Sequence, residues 1–176
     1  LAACARPPGA GPPDRLEHVS LSLPEQVAAV ARSGAAVVTQ PAFMAERGTK
    51  YAEQLSPVEQ AWLYRARSLL RAGVTVAASS DAPVVAATPL ESMAAAMTAL
   101  TPSERVAAPD ALRMVTATAA RVSGTGGGTL RPGGRGDLVV LGADPLRTRP
   151  ADVAAIPVLA TFVGGRVVHA AAGLGW

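Results

Sequence analysis

The chain has 176 residues, 49% of them apolar and 16% charged, which excludes a disordered chain or a coiled coil and allows one domain with a hydrophobic core plus an appendage. Its formal net charge is only +3, and apart from Lys50 its basic residues are arginines scattered along the sequence. With no basic stripe and no run of aromatics to stack bases, nucleic acid is not an expected partner.

The first residues, Leu1-Ala2-Ala3-Cys4, resemble a lipoprotein cleavage box, but no basic and apolar signal region precedes them, so the match reads as coincidence. Cys4 is the single cysteine, which excludes an internal disulfide framework and a Cys-only metal site and fits a reducing cytoplasm. No window approaches the roughly 20 apolar residues of a membrane span, so no membrane is expected. The first residue is not methionine, and processing or truncation is the expected origin of that start.

Residues 1–14 are rich in Pro and Gly and read as a frayed helix end followed by a loop. RLEHVS is a short strand candidate. Ser22-Leu23-Pro24-Glu25 then has capping-box spacing and opens a helix through Gln26 to Arg32 that Gly34 closes. A buried strand, Ala35 to Thr39, ends at Gln40-Pro41, and a polar excursion follows from Ala42 to Leu55. Ser56-Pro57-Val58-Glu59 predicts a helix carrying Trp62, Leu63, Leu69 and Leu70 and stopping at Gly73.

Val74 to Ala78 is the third strand. Thr88-Pro89-Leu90-Glu91 starts a helix reaching about Leu100, and Pro109 starts another with Ala111, Leu112, Val115 and Ala119 on one face. Strand and helix thus alternate at spacings that favour right-handed parallel crossovers. After Arg121 the texture changes. Gly124 to Gly136 reads as a flexible linker, since it lacks the preceding strand and following helix that phosphate binding would need. DLVVLG and LATFVGGRVVH, the latter with a Gly164-Gly165 turn, predict a small antiparallel patch.

Two residues carry the candidate chemistry. His18 ends the first strand candidate, and Asp81, in VTVAASSDAPV, stands where the third strand stops. At the C-terminal ends of parallel strands both side chains can converge on one site, and imidazole with carboxylate is a common zinc or iron ligand pair. The plainer readings stay open: a satisfied structural histidine, and an aspartate that opens a turn or caps a helix. His169 closes an apolar strand and reads as a surface residue.

The ordered set RLEHVS, VVTQP, RSLLRAGVTVAASSDAPV, ALRMVTATAARVSG, GTLRPGGRGDLVVLGADPL and TFVGGRVVH resembles the C-terminal part of the metal-dependent amidohydrolases, in their family 3 branch, over nearly the whole chain from about Asp14. The resemblance implies an α/β fold made of the last strands, six to eight, of a (β/α)8 barrel over residues 15–122. Residues 123–176 would then be the linker and C-terminal strands of a small sandwich. It implies hydrolysis of an amide-type C–N bond in a small molecule with a divalent metal, zinc by default.

Matched residue by residue, His18 corresponds to the metal-ligating histidine of strand six. Asp81 corresponds to the strand-eight aspartate, a metal ligand that also accepts the proton of the attacking water. Ser79 replaces a glycine often found two residues before that aspartate. Asp137 and Asp144 match turn positions of the sandwich. Phe43 and Tyr51, in the excursion, are candidates either for substrate contacts or for core packing.

The family's His-x-His pair, its mid-barrel metal residue and its strand-five histidine have no counterparts here. A usual barrel takes about 250 residues. The expectation is therefore the last third of a hydrolase, inactive by itself and completed by a missing N-terminal part. Two readings from other classes stand beside it: a non-catalytic module that self-associates through its open edge strand, and a small basic module whose nucleic-acid affinity would depend on salt.

Overall fold

The computed structural model describes residues 11–173; Cys4, the proposed frayed helix end and Trp176 lie outside them. Three strands, β1 (Arg15–Glu17), β2 (Ala36–Thr39) and β3 (Val76–Ala78), form a parallel sheet in the order β1-β2-β3. Between β1 and β2 runs helix α1 (Pro24–Ser33). Gly34 ends it with φ +72°, a left-handed turn that a glycine takes without a Cβ clash. The cap stands one residue later than the sequence suggests. Leu23 is the N-cap, its N–H donating to Gln26 Oε1 at 2.8 Å, while Ser22 is buried.

Where the sequence suggests a polar excursion there is a helix, α2 (Ala42–Gln54). Phe43, Arg47, Tyr51 and Leu55 recur at four-residue spacing. The Arg47 guanidinium stacks 5.1 Å from the Phe43 ring centroid, and Phe43 and Tyr51 pack with Leu63, Tyr64 and Val85. Both aromatics are therefore packing residues.

The next helix is also not continuous. It is split into α3 (Pro57–Gln60) and α4 (Ala66–Arg71), with Tyr64 between them at φ +43°. The split has a tertiary cause: Ser22 N–H donates to Trp62 O at 3.0 Å and Tyr64 N–H to Ser20 O at 2.8 Å, pairing Leu21 with Leu63. The loop that follows β1 is thereby tied down.

Helix α5 (Pro89–Met97) follows β3, and the last predicted helix is two, α6 (Ala108–Val115) and α7 (Ala117–Ser123), broken at Thr116. On one face of the parallel sheet Leu16, Val37, Val76 and Ala78 join Leu69, Met93 and Met114 from the helices in the main core. On the other, Ala36 and Ala77 pack against Val122 of α7.

Strands β4 (Leu138–Leu141), β5 (Val158–Val163) and β6 (Arg166–Ala170) form the expected antiparallel sheet. It is fastened to the first layer through Val153 and Ile156, which enter the main core. The glycine-rich stretch runs close against α7. A Cβ on Gly128, whose φ is +75°, would lie 2.8 Å from Ala117 Cα, so a larger residue is excluded on two counts. No helix is long and apolar enough to cross a membrane among the described residues.

Candidate active site

All three parallel strands end on the same edge of their sheet, and a polar residue follows each: His18 directly after β1, Gln40 directly after β2, and Ser79 then Asp81 after β3. The parallel ladder continues just past the strand ends, with His18 N–H donating to Val38 O at 2.8 Å and Ser79 N–H to Thr39 O at 2.9 Å. His18 and Ser79 are therefore held by the sheet itself, which positions side chains better than a free loop does.

Immediately beyond, the backbone turns sharply. Val19 N–H donates to Glu17 O at 2.9 Å, closing a three-residue turn with His18 at its centre and φ at +67°; Val19 follows at +49°. This is the rare, strained form of γ-turn. At β3, Asp81 has φ +54°, and its carbonyl accepts from Val84 N–H at 2.9 Å across a cis Ala82–Pro83 peptide, a type VI turn. Left-handed backbone at a residue with a side chain costs about 1–3 kcal/mol and gathers at functional sites. Only four such residues occur among those described, and His18 and Asp81 are two of them.

A chain of hydrogen bonds crosses the strand ends. His18 Nδ1 lies 2.9 Å from Gln40 Oε1, and Gln40 Nε2 donates to Ser79 Oγ at 2.9 Å and to Val38 O at 3.3 Å. Gln40 is 1% exposed, and its amide is satisfied at both ends. The His18 ring also faces Phe43, with 6.4 Å between centroids. His18 and Asp81 are themselves exposed, and among the described residues no hydrogen bond or ion pair joins them.

The structure thus brings His18, Gln40 and Ser79 into contact and places Asp81 two residues beyond Ser79. Gln40 escaped the sequence reading, which took Gln40-Pro41 as a strand terminator. The signal was the position itself, an amide in register with His18 at the end of the central strand.

The donor types fit a divalent metal, since a neutral imidazole and a carboxylate are common zinc ligands. The number does not complete a site. A catalytic zinc takes three protein ligands, and among the described residues no group of three or more His, Cys, Asp or Glu side chains could hold an ion. A cleft of about 1030 Å³ lies between the parallel sheet's Glu17 and Val38 and the antiparallel sheet's Leu138 and Phe162, and it meets the strand-end network only at Ser79. The remaining aspartates of interest are structural. Asp137 Oδ1 accepts from Gly164 N–H at 2.7 Å, and Asp144 Oδ1 accepts from Leu146 N–H at 2.8 Å. His169 is exposed on β6, away from the parallel strands.

Side chains at the carboxyl ends of parallel strands stand where α/β enzymes commonly bind their ligands. The comparison with protein families is more specific: residues 2–169 match the model of the amidohydrolase family. The chain belongs to the amidohydrolase family.

It is 33% identical over 161 residues to the N-substituted formamide deformylase of Arthrobacter pascens, covering 86% of this chain and 30% of that protein. Among solved structures it resembles an uncharacterised metal-dependent hydrolase from Pyrococcus horikoshii, with a TM-score of 0.68 and 26% identity over 77% of this chain and 30% of that one. It also resembles the zinc complex of atrazine chlorohydrolase TrzN from Arthrobacter aurescens, with a TM-score of 0.63 over 89% of this chain and 36% of that one. At 21% identity the latter likeness is one of fold. The chain spans about 30% of the length of the curated relatives it matches.

Proposed function

We propose that this chain supplies the strand-six-to-eight portion of a metal-dependent amidohydrolase barrel, residues 15–122, with residues 123–176 in its small sandwich. The reaction is hydrolysis of the C–N bond of a small amide. The observation that carries the reading is the row of strand ends, where His18 and Asp81 are held in left-handed turns on one edge of a parallel sheet. Family membership and the resemblance to a formamide deformylase support it and make N-substituted formamides the first substrates to test.

In this reading His18 and Asp81 are two of the metal's ligands, and the others stand on parts of the whole protein beyond this chain. A divalent metal held there, zinc by default, would supply Lewis-acid polarisation of the substrate carbonyl and would lower the pKa of water toward about 7. Asp81 accepts the proton of the water that attacks the carbonyl carbon. As the C–N bond breaks, that proton passes to the departing amine nitrogen. Ser79 and Gln40 hold the strand ends at fixed separations while this happens.

β1, three residues long, is the edge strand of the parallel sheet, and in this reading its open side is where barrel strand five pairs. The test uses the whole protein, loaded with zinc and assayed for amine release from N-substituted formamides. Activity that His18→Asn and Asp81→Asn both abolish is the expected result. Full activity in either variant would refute the assignment.

A further inference from the structure

The amide of Gln40 can be oriented without ambiguity. One of its terminal atoms lies 3.3 Å from Val38 O, a carbonyl oxygen that can only accept, so that atom must be the donor Nε2. The same nitrogen reaches Ser79 Oγ at 2.9 Å. Oε1 therefore faces His18 Nδ1, at 2.9 Å. An amide oxygen cannot donate, so the proton of this bond belongs to Nδ1. A neutral imidazole carries one ring proton, and Nε2 is then left with its lone pair.

We propose that Gln40 is a positioning residue that fixes His18 as its Nδ1–H tautomer and so presents Nε2 as the metal-ligating atom. The proposal rests on the reading of His18 as a ligand. Neutral histidine in water favours the proton on Nε2, the arrangement that leaves the wrong nitrogen free. Metal-bound histidines generally use a partner on the second nitrogen to settle this choice. Here the partner is buried and anchored to the backbone of the same strand, so the choice is made before any metal arrives. Val38 O accepts both from His18 N–H and from Gln40 Nε2, tying ring and amide to one carbonyl.

The tautomer is read directly by ¹⁵N-labelling the histidines of this chain and correlating ring nitrogens with ring protons, at a pH roughly two units above the usual imidazole pKa of about 6.5. His18 should show a lone-pair Nε2 and a protonated Nδ1. Gln40→Met should shift it toward the Nε2–H form and weaken zinc binding roughly 10–100-fold. Gln40→Glu, which retains an oxygen facing Nδ1, should restore the native tautomer. A native chain with the proton on Nε2 would overturn the proposal even if no variant folds, and so would an unchanged tautomer in a folded Gln40→Met chain. Zinc added to the whole protein, its histidines labelled, should move the His18 Nε2 resonance. If the tautomer is as stated and zinc leaves Nε2 untouched, it is the ligand reading of His18 that fails, and with it the role of Gln40 toward a metal.

Discussion

Around the parallel sheet the left-handed backbone positions include His18, Val19, Tyr64 and Asp81, whereas from Gly124 onward every described residue with positive φ is a glycine. The antiparallel layer and the stretch leading to it make their sharp turns with the residue that tolerates them at no steric cost. The parallel layer places two of its candidate ligands in the same conformation and pays for it in strain. Where only the path of the chain matters glycine suffices; where a side chain must stand at the turn, the less favourable residue is kept.

That contrast can be broken experimentally. The largest effect should come from Asp81→Asn in the whole zinc-loaded enzyme. Removing the proton acceptor should lower kcat roughly 10²–10⁴-fold, the usual worth of general acid–base catalysis, with the melting temperature hardly changed. Retained turnover would make Asp81 an ordinary turn residue.

Next in size is the contrast in packing. Leu69 is 1% exposed in the core that backs the parallel sheet, and Leu130 is 76% exposed in the glycine-rich stretch. Leu69→Ala should cost about 2–5 kcal/mol in urea unfolding. Leu130→Ala should stay within about 0.5 kcal/mol. Equal costs would mean that the glycine-rich stretch is packed as a core is.

A smaller effect tests the strain argument. Asp81→Gly should raise stability by about 1 kcal/mol while abolishing turnover, and Gly164→Ala, at φ +58° with open space around it, should lower stability by about as much. Opposite signs for the two are the expected outcome, measured by denaturant midpoints. If Asp81→Gly destabilises, the turn at Asp81 is not strained.

A last effect, confined to alkaline pH, concerns Tyr64, buried beside Tyr51 with 3.2 Å between hydroxyls. Burial pushes its phenol up to about 12, Ser20 acts in the opposite sense, and Tyr51 adds to the rise. The unfolded chain loses this proton first, near its ordinary value of about 10. Stability from this group is therefore full below pH about 10 and declines as pH rises toward the folded value. Tyr64→Phe should flatten the stability profile in that window; an unchanged slope would assign it to other groups.

Much of this was legible in the sequence because local signals agreed. Capping residues, glycine stops and alternating strands marked the parallel α/β layer, and Gly164-Gly165 marked the hairpin of β5 and β6. Helix α2 was hidden by Gly48 and Thr49 in its middle and by the absence of a side-chain cap, although Phe43, Tyr51 and Leu55 carry its period. The split around Trp62 was not legible at all, because its cause is a pairing with Ser20 and Ser22 some forty residues away. His18 and Asp81 could be named from the sequence, but their left-handed turns could not. Gln40 became visible only when three strand ends, far apart in the chain, were brought into register.

The central claim is that these strand ends form part of a metal site, and it is most directly tested by an anomalous difference map from crystals of the protein grown with zinc. The account predicts a peak bonded to His18 Nε2 and an Asp81 carboxylate oxygen at about 2.0–2.2 Å. Zinc bound elsewhere, with neither His18 nor Asp81 among its ligands, would contradict it.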